Sequence, residues 1–185
     1  MKKIIILLTA VILASCGQTG NKGAEHISTK VILVPPDWGI FQWDNYSIQY
    51  PREWEVTRDE KGCAFFVSCT NRRDSNFGEN INLVITNVKD SGVNLARLTA
   101  VSLAKIKDQM SDFNLISNKT LTDGDGDYQQ IIFTCTSSSL NLILEQWYRI
   151  VGDNAYILTL TAFKEKWGKG QQIGEQIMSS FIVKN

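Results

Sequence analysis

The 185 residues include one histidine, His26, and only three prolines. His26 precedes the periodic part of the chain, so a folded domain downstream lacks the imidazole that Ser-His-Asp and Cys-His catalysis and His-based zinc or iron sites require. Charge of one sign is missing too. The 19 basic residues balance the 19 acidic ones, which removes the electrostatic footprint expected of a protein that binds nucleic acid or an acidic bilayer surface. Hydrophobic runs are short: Ile4–Ala14 would span about 16 Å as a helix, roughly half of the ~30 Å hydrocarbon core. What is present is a globular composition, 43% hydrophobic and 21% charged, in a chain of one-domain size that can bury a real core. No residue constellation specifies a reaction, so the chain reads as a non-enzyme with no cofactor.

The short apolar run has a meaning of its own. Lys2 and Lys3 form a basic n-region, Ile4–Ala14 an h-region, and Ser15-Cys16 closes it. Leu13-Ala14-Ser15-Cys16, followed by Gly17, resembles a bacterial lipobox. The resemblance implies a signal peptide over 1–15, removed after the Cys16 thiol is acylated, with palmitate among its chains. Loss of Lys2 and Lys3 leaves 17 basic residues against 19 acidic, so attachment to the membrane rests on acyl chains and not on charge. Gly17 after the lipidated residue resembles an outer-membrane sorting pattern, which points to the bacterial cell envelope on the periplasmic side. Residues 16–34 read as a flexible tether: the polar stretch Gly17–Lys30 has an r.m.s. reach of roughly 20 Å, enough for the domain to stand clear of the headgroups. Val31–Val34 is either an edge strand or the end of that tether. Residues 35–185 form the domain.

Within the domain, alternation of apolar and polar residues favours strands. Tyr46, Ile48 and Tyr50 share a face, as do Cys63, Phe65, Val67 and Cys69, then Ile81, Leu83 and Ile85, and Ile131, Phe133 and Cys135. The runs Leu140–Val151 and Ala155–Lys164, joined by Gly152-Asp153-Asn154, form a hairpin. Asn94–Phe113 carries Leu95, Leu98, Leu103, Ile106, Met110 and Phe113 at helical spacing, with Asn94 as N-cap. Gln171–Ile182 repeats the device through Ile173, Ile177 and Phe181. Strands with one central and one terminal helix give an α+β fold, an antiparallel β-sheet covered by helices.

Tyr46-Ser47-Ile48-Gln49-Tyr50-Pro51-Arg52-Glu53-Trp54, Ala155-Tyr156-Ile157-Leu158-Thr159 and Ser180-Phe181 resemble the PsbP-like family, over about 46–183. That family includes the extrinsic lumenal subunit of photosystem II and many bacterial lipoproteins. The resemblance implies an α/β/α sandwich and a non-catalytic accessory or protein-binding role. It carries over no site residue.

Asp123-Gly124-Asp125-Gly126-Asp127 begins like a calcium loop, but Tyr128 stands where the loop needs Gly and Thr134 where it needs Glu. It reads as a turn that uses local hydrogen bonds more than three charges, and no metal site is assigned. Cys63, Cys69 and Cys135 alternate with apolar residues and read as small core residues; the ends of one strand Cys63–Cys69 lie too far apart to bridge. Ser137-Ser138-Ser139 reads as the polar end of a strand. Trp38, Phe41 and Trp43 cluster where the domain begins, either as a partner-binding rim or as a cap folded onto the sheet. The expected function is that of a lipid-anchored envelope module that binds an envelope protein partner. The alternative is a small-molecule or ion-binding lipoprotein using a cleft between sheet and helix.

Overall fold

Leu140–Val151 and Asn154–Phe163 pair antiparallel across a two-residue turn, Gly152-Asp153, and lie at the centre of the molecule. Asn154 pairs with Val151, so it belongs to the strand and not to the turn. The computed structural model describes residues 34–60, 63–69 and 78–184. The expected signal peptide over 1–15, Cys16, His26 and the tether expected to run to residue 34 lie outside the described residues, save Val34.

In chain order the elements are β1 (Gly39–Trp43), β2 (Tyr46–Tyr50), β3 (Trp54–Glu60), β4 (Cys63–Cys69), β5 (Asn80–Asn87), α1 (Leu95–Gln109), β6 (Ser111–Asp123), β7 (Gly126–Ser137), β8 (Leu140–Val151) and β9 (Asn154–Phe163). A 3-10 turn, Lys164–Lys166, then leads into α2 (Trp167–Ser179) and β10 (Ile182–Val183). Seven strands form one antiparallel sheet in the order β3-β4-β5-β9-β8-β7-β6, and β1-β2-β10 form a second, smaller one.

Alternation along β9 explains the layers. Tyr156, Leu158 and Leu160 enter one core with Ile177 and Met178 of α2 and with Tyr46 and Ile48 of β2. Ala155 and Ile157 enter the other, with Leu98 and Ile106 of α1 and with Ile131 and Phe133 of β7. The large sheet is therefore covered by α1 on one face, and on the opposite face by α2 with the small sheet beside it. Gly174 lets α2 approach closely: a Cβ there would lie 2.2 Å from Leu160 Cδ2, in the buried core.

Asn94 caps α1 as expected, its side chain accepting from the Arg97 N–H at 2.9 Å. The helix ends at Gln109, short of Phe113. Phe113 lies on β6 and still meets the same core, its ring 5.4 Å from that of Phe133. A strand and a helix thus feed one apolar stripe, which is why the spacing overruns the helix. The second helix lies earlier than its stripe, over Trp167–Ser179, and Ile182 passes into β10. Ser180 fixes that exit: its hydroxyl donates to Ile177 O at 2.6 Å and accepts from the Gln49 N–H at 2.8 Å.

Candidate functional site

On the α1 side, Ala96, Ala100 and Ala104 recur four apart and turn small side chains toward β6, while Leu103 and Lys107 complete that edge of the helix. Opposite them β6 carries two register irregularities, between Ser111 and Asn114 and between Leu115 and Ser117, so it follows its neighbour unevenly. The result is a groove of about 640 Å³ whose walls also include Phe113, Leu115, Asn118, Thr120 and Gln129. Its polar floor is satisfied internally. Thr120 donates to Gln129 Oε1 at 2.8 Å and Gln129 Nε2 donates to Asn118 Oδ1 at 2.6 Å. Lys107 supplies the one charged side chain among the lining residues.

The α2 side of β8 is polar where a core is expected. Glu145 is fully buried. Its Oε1 accepts from Gln130 Nε2 and from Trp147 Nε1, both at 2.6 Å, and its Oε2 has no hydrogen-bond partner. Burial pushes the Glu145 carboxyl above its ordinary range, the two donors oppose that shift, and Glu175 of α2 adds to it. Four residues on, Arg149 Nη2 pairs with Asp123 Oδ2 at 2.5 Å and Nη1 with Asp125 Oδ2 at 3.2 Å, with its guanidinium carbon 5.3 Å from the Tyr128 ring centre. Burial, and then Asp123, raise the Tyr128 hydroxyl to about 12. The cavity beside Tyr128, Trp147 and Arg149 holds only about 20 Å³, space for a water and not for a substrate.

Glycine and aspartate do make the β6–β7 turn at Gly124-Asp125, where the Asp125 N–H donates to Asp123 Oδ1 at 2.9 Å. The charges nonetheless matter more than local turn chemistry suggests, because two of the three carboxylates neutralise Arg149, whose side chain is 10% exposed. Ser138 and Ser139 are the centre of the β7–β8 turn, at φ 48 and 69, and not the end of a strand.

The aromatic cluster at the start of the domain divides. Phe41 lies against Phe65 at 5.7 Å between ring centres, and Trp38 packs partly buried on the same core. Trp43 stays exposed, with the Arg58 guanidinium 3.5 Å from its ring centre. Among the described residues no disulfide joins Cys63, Cys69 and Cys135. Cys63 and Cys135 are buried, and burial raises the Cys135 thiol to about 11, which suits a core residue and not a nucleophile.

Two of these features escape periodicity. The groove depends on alanines that a search for large apolar residues passes over. Glu145 and Arg149 share one face of β8 with Ile143 and Trp147, and charged residues at inward positions of a strand are the signal that reveals a buried polar layer.

The backbone is similar to that of cyanobacterial PsbP from Synechocystis sp., with TM-score 0.60 and 15% identity over 92% of this chain and 98% of that one. The chain has the PsbP-like fold. Other similar PsbP-like arrangements are LpqN of Mycobacterium tuberculosis, described as involved in cell envelope biogenesis (TM-score 0.59, 12% identity, 76% and 83% coverage), and a Pseudomonas aeruginosa protein of unknown function (0.52, 12%, 80% and 98%). No family model and no curated protein matches the sequence. Among the described residues no helix is long and apolar enough to cross a membrane.

Proposed function

We propose that this chain is a lipid-anchored, non-catalytic module of the bacterial envelope, held through Cys16 and facing the periplasm, and defined by what it binds and not by what it converts: an extended apolar segment of a partner protein in the groove between α1 and β6. The groove itself carries this reading. Its apolar walls give area, its polar floor is already bonded and so demands nothing specific of the occupant, and Lys107 favours a segment that brings a carboxylate to that end. The edge position of β6 supports an extended segment, since an outermost strand offers main-chain groups to an added one. Kinship of fold with LpqN, a protein involved in envelope biogenesis, is consistent with that setting.

The groove volume also lies in the ~300–1,000 Å³ range of small-molecule sites, and favours a second reading in which an apolar small molecule fills it. A photo-crosslinking amino acid at Ala100, introduced into the full chain in intact cells, separates the two. One discrete protein adduct, lost when Lys107→Glu reverses the charge, supports the protein segment. An adduct of small-molecule mass supports the second reading, and no adduct at all contradicts both.

A further inference from the structure

Among the described residues, three of the six exposed large hydrophobic side chains, Ile40, Trp43 and Ile182, belong to the small sheet. Register puts two of them on one surface. Ile40 stands opposite Gln49 and Ile182 opposite Ser47, while Phe41 and Ile48 point the other way into the core. The outer surface therefore includes Ile40, Gln42, Ser47, Gln49 and Ile182, and the exposed Lys184, two residues past Ile182 with its N–H donating to Asn45 O at 2.6 Å, extends it at one edge. Ile40 is 66% exposed and Ile182 47%. Trp43 pairs with the buried Tyr46 and so points the other way, toward the large sheet, where Arg58 lies against its ring.

The path of the chain says what this surface meets. Described residues begin at Val34, five positions before β1, so the chain coming from Cys16 enters the domain next to this sheet. A tether of that length makes any contact between sheet and bilayer intramolecular, and the high effective concentration lets a weakly apolar surface suffice. Two exposed isoleucines supply apolar area, and a lysine at the edge of the same face suits the headgroup level.

We propose that the outer face of the small sheet rests on the lipid surface that carries Cys16, with Ile40 and Ile182 in the headgroup layer and Lys184 at its rim. This rests on the lipid-anchor reading above, and it replaces a domain standing clear of the membrane by one lying on it. The groove between α1 and β6, on the opposite side of the large sheet, then faces away from the bilayer and stays open to a partner.

The test is a benzophenone amino acid placed at Gln42, and separately at Asp108 on α1, in the full lipidated chain on phosphatidylethanolamine–phosphatidylglycerol vesicles. Fractionation of the unsubstituted chain and of Cys16→Ser is run alongside. Phospholipid adducts several-fold more abundant at 42 than at 108 are expected. Equal adducts at the two positions, or none at 42, overturn the proposal while a vesicle-bound parent and an unbound Cys16→Ser leave the anchor intact. Given a protein adduct at 42 in intact cells, the face is a protein interface and the proposal also fails. A parent chain that does not associate with vesicles overturns both the anchor and the contact.

Discussion

Glu145 places a carboxylate inside the molecule with one oxygen bonded twice and the other without a partner. Burial, and then the charge of Glu175, raise its folded-state pKa above the unfolded value of about 4.5, so folding favours the protonated form. The sign follows. Below the unfolded pKa the carboxyl is neutral in both states and its contribution is complete; as pH rises through the folded pKa the unfolded state releases its proton more readily, and stability is lost. Glu145→Gln keeps an oxygen for Gln130 and Trp147 and cannot ionise. It should flatten that decline and exceed the parent in urea midpoint at pH 8. An unchanged pH slope would mean that Glu145 is not the group responsible.

Arg149 sets the opposite problem. Asp123→Asn with Asp125→Asn removes both counterions of a guanidinium whose side chain is 10% exposed. The carboxylates are themselves partly solvated, so the expected loss is about 1–3 kcal/mol, below that for a fully buried pair. Asp127→Asn touches only the Thr122 hydroxyl bond and should cost less than about 1 kcal/mol. Chemical denaturation of the two variants separates charge neutralisation from turn chemistry.

At the scale of elements, the strands with strict alternation were legible: Tyr46–Tyr50, Cys63–Cys69 and the β8–β9 pair stand where periodicity puts them. β6 was not. Its residues are mostly exposed, two irregularities break its alternation, and Asp112 at φ 51 interrupts its start, so period two never accumulates. β1 was hidden for another reason, since aromatic residues there read as a cluster before they read as a strand. The site followed the same rule. The helix bordering the groove was legible from its large residues, but the space itself depends on how β6 diverges, which no residue spacing records. Turns show local chemistry yielding to position. Ser138 and Ser139 both have positive φ in a two-residue hairpin, a conformation that Asn-Gly adopts with little strain. Ser138→Asn with Ser139→Gly should raise stability by about 1 kcal/mol, read as a higher thermal midpoint; a fall would show that the serine side chains support the turn in another way.

The whole molecule separates two surfaces by a sheet. The α1 side carries the groove and the α2 side carries the small sheet with its exposed outer face. A domain built this way can be attached on one side and occupied on the other, without chemistry in between. Both roles presuppose that the chain is acylated at Cys16. Intact mass spectrometry of the protein recovered from the membrane fraction of its own cells tests that most directly. The account predicts a chain that begins at Cys16 and carries the added mass of a diacylglyceryl group; a membrane-fraction chain that retains residues 1–15, or begins elsewhere without lipid, would contradict it.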